Sequence, residues 1–577
     1  MIRTRDLLNH LRCRRFSALA SSHNINEINN RIVHRSDEDQ TDDFVGEEII
    51  FESGEEKTLD PISRLFEQTF LNKNDCSYQK NYVFERVFES ETLQTTLPFF
   101  VKVDNQLSVF KVSSSTQTHF TNLNYSYNKK KYPLFEMKNG VYIPRKVFVR
   151  EGDHTNYHDK VRRVLSRHYD TGRIVYDLAF SYFTLPDDIK ALKPRFYYVA
   201  LNPHYVLRAK TLEEADDLID LFVIFDMTDF VDSLQDKIIS DLYRMINLKE
   251  LNDNSPCDLV DNECLKGKSF ECPFVDTCFA HVPKENAITN YFYAHLGFKE
   301  GPHKNDIHHD TYELMNQGMV GLLDVPISWL HREKNLMQRY CVENDYVFIN
   351  KKKVKLYLKN LKYPYYFLDF EAYPSPLPRF EGESPYSQSV FQFSLHKKTS
   401  ENDPIKHYYY LSKDNDDHRK ELLESLLQLI EDDGGSIIVY NQTFEISRLI
   451  EMKEFFVEYA SQIDKILPRI FDLLLLLKND REFFLNQGFT EEAAETYNFY
   501  HPEQSGSYSI KKILSVLGNH AYEDLAVRNG TMAYETYIQF SKMNNIERDI
   551  AYQHLLAYCA QDTFSMVFIL DKIKSML

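Results

Sequence analysis

The chain has 577 residues, too many for one hydrophobic core and enough for about two to four domains. Acidic residues outnumber basic ones 86 to 68, a formal charge of −18, which argues against a nonspecific nucleic-acid coat but leaves room for a local basic channel. The longest plainly apolar run, Leu473 to Leu477, is far shorter than the roughly 20 residues of a membrane-crossing helix, and the basic N-terminus lacks the continuous apolar core of a secretion signal. A cytoplasmic protein with no membrane partner is expected.

In chain order, Leu7, Leu8, Leu11 and Phe16 recur at helical spacing and predict a helix over 4–20. The stretch 36–56 is acidic and polar and reads as a loop or insertion. Residues 81–116 have a strand-like pattern, 174–185 reads as a helix and 196–207 as a strand. Together they predict an α/β domain that ends near the cysteines at 257 and beyond.

Four of the eight cysteines fall in one short segment: Cys257, Cys264, Cys272 and Cys278. Structural disulfides are rare in the cytoplasm, so thiolates gathered on a metal are expected. Tetrahedral Zn²⁺ and an iron–sulfur cluster both use four thiolates. On spacing alone, either Cys257 or the distant Cys13 completes the set.

Between 286 and 362 the pattern is mostly helical, with breaks at Gly318–Gly321 and Asp324–Pro326. Basic residues concentrate here, His331-Arg332 and Lys334, then Lys351-Lys352-Lys353 and Lys355. They read as a solvated helix face or as a phosphate-tracking surface.

The stretch Tyr365-Tyr366-Phe367-Leu368-Asp369-Phe370-Glu371 is an apolar run interrupted by two carboxylates at i and i+2. On a strand that spacing points both side chains to one face. Two acids on one face of a buried strand repel and lose hydration, and a divalent cation makes them tolerable. Phe391–His396 alternates as a second strand. Ser436–Tyr440 reads as a short buried strand running into a helix that begins near Glu445. Asp472 reads as a helix cap before a ligand. Tyr558 and Asp562 share one face of a late helix at i and i+4.

An early Cys13, an α/β domain and a cluster ending in Cys272-Pro273-Phe274-x3-Cys278 resemble the iron–sulfur RecB-type nucleases, which include the CRISPR-associated exonucleases. The resemblance implies a PD-(D/E)XK fold and a 4Fe-4S cluster on Cys13, Cys264, Cys272 and Cys278, with Zn²⁺ as the alternative. It also implies a metal site at Asp104 and in the strand Lys111-Val112-Ser113. Here, however, Lys111 stands where that family has glutamate, Ser113 where it has lysine, and Ser181 where a helix has glutamine. Those departures imply an inactive nuclease site in a domain kept for nucleic-acid binding or architecture.

Asp369-x-Glu371, then Asn441-x2-Phe444-Glu445, then Tyr558-x3-Asp562 resemble the three motifs of the DEDD 3′–5′ exonucleases, which have a ribonuclease H-like fold. Glu445 departs from the usual aspartate by one methylene. The resemblance implies two Mg²⁺ or Mn²⁺ ions on Asp369, Glu371, Glu445 and Asp562, with Tyr558 hydrogen-bonding the attacking water. Residues 374–386, 391–396, 506–511 and Gly530 resemble an uncharacterised bacterial family that joins a RecB-like domain to a DEDD-like one. The expected organisation is therefore 1–285 degenerate RecB-like, 286–362 helical connector and 363–577 ribonuclease H-like. The expected function is a metal-dependent 3′–5′ exonuclease acting on single-stranded 3′ ends of DNA or RNA. The alternative is an inert nucleic-acid-binding scaffold built from two nuclease folds.

Overall fold

The computed structural model describes residues 274–577 without a break and most of 1–249. It leaves out 14, 17, 18, 20–54, 72–76, 104, 105, 117, 128, 146–154, and 250–273 apart from 260, 264 and 272. Asp104, Cys257 and most of the acidic stretch 36–56 thus lie outside the described residues. The architecture is mixed α/β.

The described residues divide into two compact units, one holding those up to 258 with Ser375–Ser387, the other Leu259–Pro374 and Gln388–Leu577. The first contains a seven-stranded sheet. Its strands are β1 (Ser77–Phe88), β2 (Glu91–Val103), β3 (Gln106–Thr116), β4 (Phe135–Lys138), β5 (Val141–Pro144), β6 (Arg195–Leu201) and β7 (Phe222–Asp226), in the order β1-β2-β3-β6-β7-β5-β4. β1–β3 form an antiparallel meander, and β3 pairs parallel to β6. One face packs against α1 (Thr4–His10), α2 (Asp170–Thr184) and α3 (Gln235–Lys249), through Leu7, Tyr176, Phe180, Leu242 and Met245. The expected helix over 4–20 therefore begins as placed, with Leu7, Leu11 and Phe16 buried.

The opposite face gathers Phe66, Val112, Val199, Leu201 and Tyr205 around Tyr386. Residues 375–387 reach this cluster by leaving the other unit's sheet at Pro374 and returning at Gln388. Gly382 N–H donates to Leu207 O (2.8 Å) and Leu207 N–H to Glu383 O (2.9 Å), while the Tyr386 hydroxyl donates to Ser114 O (2.7 Å). Proline-rich sequence suits such a strap, because it carries few backbone donors that need partners.

The second unit is built on a five-stranded sheet of β8 (Tyr365–Pro374), β9 (Gln388–Lys398), β10 (Lys406–Leu411), β11 (Ile437–Val439) and β12 (Ile470–Asp472). The strand order is β10-β9-β8-β11-β12, antiparallel on the β9 and β10 side and parallel on the other. β8 is central and buried on both faces. Tyr366, Leu368 and Phe370 pack against α4 (Arg419–Leu429) and α5 (Thr443–Phe455) through Leu422, Leu426, Leu449 and Met452. Tyr365 and Phe367 belong to the other layer, with residues of α6 (Ile510–Val516), α7 (Gly530–Ile538) and the 31-residue α8 (Asn545–Ser575).

Part of 286–362 joins this second layer, while Ile288, Tyr291, Leu314 and Leu322 form a cluster of their own. Phe292 meets Tyr497, Tyr500 and Tyr508, and Val354 and Tyr357 join the same cluster as α8. The region expected as a connector therefore packs as part of the C-terminal unit. The division between units falls at 258 rather than 285. Among the described residues, no helix is long and apolar enough to cross a membrane.

Candidate functional site

Strand alternation puts Asp369 and Glu371 on the same side of β8 as Phe367, toward α8. Their antiparallel neighbours on β9 are Ser394 and Gln392, and the register shifts just after Glu371. That irregularity ends the regular pleat directly beyond the second acid.

Helix α8 supplies the opposing wall. It starts cleanly because Asn544 accepts from Ile546 N–H (3.0 Å) and Glu547 N–H (3.1 Å), while Glu547 returns a carboxylate to Asn544 N–H (3.0 Å). Leu555, Tyr558, Cys559, Asp562, Thr563 and Met566 form its buried stripe at i, i+3, i+4, i+7 and i+8, with i+11 one turn further. Two ties lock the helix to the sheet. Gln392 Nε2 donates to Leu555 O (3.0 Å), and Thr563 Oγ1 lies 2.7 Å from Ser394 Oγ and 2.8 Å from His396 Nδ1. His407 Nε2 closes that network, 2.9 Å from Ser394 Oγ, and its ring stacks on His396 at 4.4 Å. Burial, with the His407 charge beside it, pushes the His396 imidazole down to about 4.

These ties bring together residues 190 positions apart. Cys559 Sγ lies 3.4 Å from Asp369 Oδ2. Asp369, Glu371 and Cys559 each offer a ligand atom within 4.8 Å of the other two, a donor set able to hold a metal ion. Asp562 accepts from the Tyr522 hydroxyl, which in turn lies 3.2 Å from Ser565 Oγ. Burial pushes the Tyr558 hydroxyl well above the ordinary phenol range, and Asp562, Glu371, Tyr522 and Asp369 push it further. Tyr522 behaves alike, through burial and then Asp562. Burial also raises the Cys559 thiol, with Asp369 next in effect. Neutral O–H and S–H donors thus stand among the carboxylates and moderate their mutual repulsion. Gly530 opens α7 beside Glu371, where a Cβ would sit 3.7 Å from Oε2.

Of the residues predicted from sequence, Asp369, Glu371, Tyr558 and Asp562 meet in this one layer. Glu445 is buried in the first turn of α5, which follows β11, the parallel neighbour of β8. It stands outside the 4.8 Å donor set, as does Asp562. Asp472 is the expected cap: it accepts from Asn441 N–H (3.0 Å), Gln442 N–H (3.2 Å) and Leu474 N–H (2.8 Å). Cys559 and Tyr522 were missed by sequence reasoning. Cys559 carried a readable signal, lying beside Tyr558 and three residues before Asp562 on the same helical face; Tyr522 lies in a turn with no periodicity.

The basic residues divide. Lys353 is fully buried and donates to Ala493 O (3.0 Å) and Thr496 O (2.7 Å), which removes it from any phosphate-tracking surface. Lys512 pairs with Glu285 (3.3 Å), and Lys511 donates to Arg528 O. In the N-terminal unit, Lys111 on β3 forms an ion pair with Asp177 on α2, and Ser181 Oγ lies 2.8 Å from Thr95 Oγ1. Phe16 N–H donates to Cys13 Sγ (3.3 Å). In the C-terminal unit, Cys264 and Cys272 are buried and joined by a Cys272 N–H to Cys264 O bond (3.0 Å), and Cys278 ends the short helix Val275–Cys278.

Residues 366–509 match a domain of unknown function (DUF2779). That match includes Asp369, Glu371 and Glu445 and stops short of α8. The chain is similar to Uncharacterized protein UU173 of Ureaplasma parvum, 26% identical over 256 residues, which is 41% of this chain and 34% of that protein. It is similar to Uncharacterized protein MG366 of Mycoplasma genitalium at 26% over 253 residues, 38% of this chain and 34% of that protein. The chain spans about a third of the length of these curated relatives. No solved structure matches it.

Proposed function

We propose that the C-terminal unit is a metal-dependent 3′–5′ exonuclease of the DEDD type, hydrolysing phosphodiester bonds at single-stranded 3′ ends of DNA or RNA. One observation carries the reading. Asp369 and Glu371 on the central strand face the Tyr558, Cys559 and Asp562 stripe of α8 across a buried layer. The strand order supports it: numbered within the unit the sheet runs 3-2-1-4-5 with strand 2 antiparallel, the arrangement of a ribonuclease H-like fold.

The donor set fits a hard or borderline divalent cation, since two carboxylates and a thiol converge within 4.8 Å. Asp369 and Glu371 would hold it, with Asp562 and Glu445 as the further acids. When bound, a pair of Mg²⁺ or Mn²⁺ ions supplies Lewis-acid charge for displacement at phosphorus. Tyr558, kept neutral by its surroundings, donates its O–H to orient the attacking water. Tyr522 holds Asp562 in one rotamer through its hydroxyl. The Gln392 and Thr563 ties keep the helix from sliding along the strand.

In the N-terminal unit, a lysine ammonium already supplies the counter-charge to Asp177. That pairing supports an N-terminal domain whose nuclease site, if RecB-like, is inactive. The spacing of Cys264, Cys272 and Cys278 within the C-terminal unit supports a thiolate-held 4Fe-4S cluster, with Zn²⁺ as the alternative. Iron, acid-labile sulfide and zinc analysis of anaerobically purified protein separates the two.

The test of the activity is a 5′-labelled single strand with Mn²⁺ or Mg²⁺ and an EDTA control. Stepwise shortening from the 3′ end is expected, with loss in Asp369→Asn and Asp562→Asn. Metal-dependent degradation that survives both substitutions overturns the mechanism, and binding without any degradation supports the inert scaffold.

A further inference from the structure

The thiol in the carboxylate layer has a consequence for which metal the site takes. Cys559 is completely buried on the face of α8 that carries Tyr558 and Asp562. Its sulfur lies 3.4 Å from Asp369 Oδ2, and Glu371 completes a three-atom donor set. With a Zn–S bond of about 2.3 Å and a Zn–O bond of about 2.1 Å, sulfur and oxygen on one ion are separated by about 3.1 Å at a right angle and about 3.6 Å at the tetrahedral angle. The observed separation falls between those limits, so an ion can be shared without moving the helix or the strand.

Ligand softness then decides. Carboxylates alone suit Mg²⁺, Ca²⁺ and Mn²⁺, whereas a thiolate shifts preference toward Zn²⁺ and its neighbours in the transition series. We propose that Cys559 is a third protein ligand to the ion held by Asp369 and Glu371, and that this position selects Zn²⁺ or Co²⁺ over Mg²⁺. The inference rests on the exonuclease reading only for the presence of a metal at these acids. It replaces a uniform Mg²⁺ pair with a site of mixed hardness.

The same contact is also what a weak S–H donor to Asp369 would give. Co²⁺ titration into the full chain distinguishes the two. A thiolate-to-cobalt charge-transfer absorption in the near ultraviolet is expected. Measured in a Cys272→Ser background, so that the separate cysteine cluster does not contribute, it should disappear on adding Cys559→Ser and weaken sharply on adding Asp369→Asn. In competition, the preference for Zn²⁺ over Mg²⁺ should fall by about 10–100-fold in Cys559→Ser, the range found when groups that tune a metal ligand are removed.

Identical cobalt spectra with and without Cys559→Ser in that background overturn the inference, while the carboxylate site stands if Asp369→Asn still weakens Co²⁺ binding. If Asp369→Asn leaves the Co²⁺ isotherm unchanged, the metal reading and this inference fall together. Should Cys559→Ser misfold by circular dichroism, Asp369→Asn decides alone: a charge-transfer band untouched by that substitution overturns the proposal.

Discussion

The two units each set charged side chains between a strand and a helix, but only one of them balances the charge with its own residues. In the N-terminal unit a sheet strand, β3, and a helix, α2, bring Lys111 against Asp177. In the C-terminal unit, β8 and α8 bring Asp369 and Glu371 against Cys559, with Tyr558 and Asp562 on the same helical face. A lysine closes the first pairing with its own cation. The second concentrates acids beside neutral hydroxyls and a thiol. A strand facing a helix is thus not itself a site; the side-chain charge at two or three positions decides whether a metal is wanted.

The sharpest way to break this contrast is a matched pair of substitutions. Asp369→Asn should lower the proposed nuclease activity by more than about 100-fold, because even outer partners of metal ligands are worth about 10–100-fold. Asp177→Asn should leave activity within about twofold, measured on the same labelled strand. Equal losses would mean that both units act in the chemistry. Next in size, Tyr558→Phe should lower kcat by about 10–100-fold with KM little changed, since it removes one positioned donor without disturbing packing.

Stability offers a smaller contrast. The folded state holds His396 with its proton affinity pushed down to about 4, below the ordinary value of 6.5. The unfolded chain therefore binds more protons across that interval, and stability falls as pH drops from 6.5 toward 4. The loss from this group is on the order of 2 kcal/mol, allowing for partial solvent access. His407 is lowered too, by burial, and adds in the same direction. His396→Gln should flatten the pH dependence of the C-terminal unit's melting transition. The smallest effect is expected at Lys111→Ala. This partly exposed ion pair should cost under about 1 kcal/mol in melting experiments and leave the proposed nuclease activity unchanged.

Much of the candidate C-terminal cluster was legible in the chain because its signals are local. Asp369 and Glu371 at i, i+2 in an apolar run need only strand geometry to share a face. Tyr558 and Asp562 need only helical periodicity, and α8 has both that and a strong cap at Asn544. Asp472 as a cap was likewise readable from the turn it begins. Lys353 was not. Nothing local separates it from Lys351 and Lys352, and its burial follows from the carbonyls of Ala493 and Thr496, some 140 residues away. Residues 375–387 joined the N-terminal unit for the same reason, since Leu207 and Ser114 supply their partners.

What the amino-acid order determined by itself was therefore periodicity and capping: which stretches become strands and helices, and which side chains share a face. What only the tertiary structure decided was company. The approach of Cys559 to Asp369 spans 190 positions and depends on Gln392 and Ser394 fixing how far α8 slides along β8. A displacement of one helical residue, about 1.5 Å with a turn of about 100°, would rotate the thiol out of the layer. Local rules set a residue's direction, while packing across the sheet sets its distance from everything else.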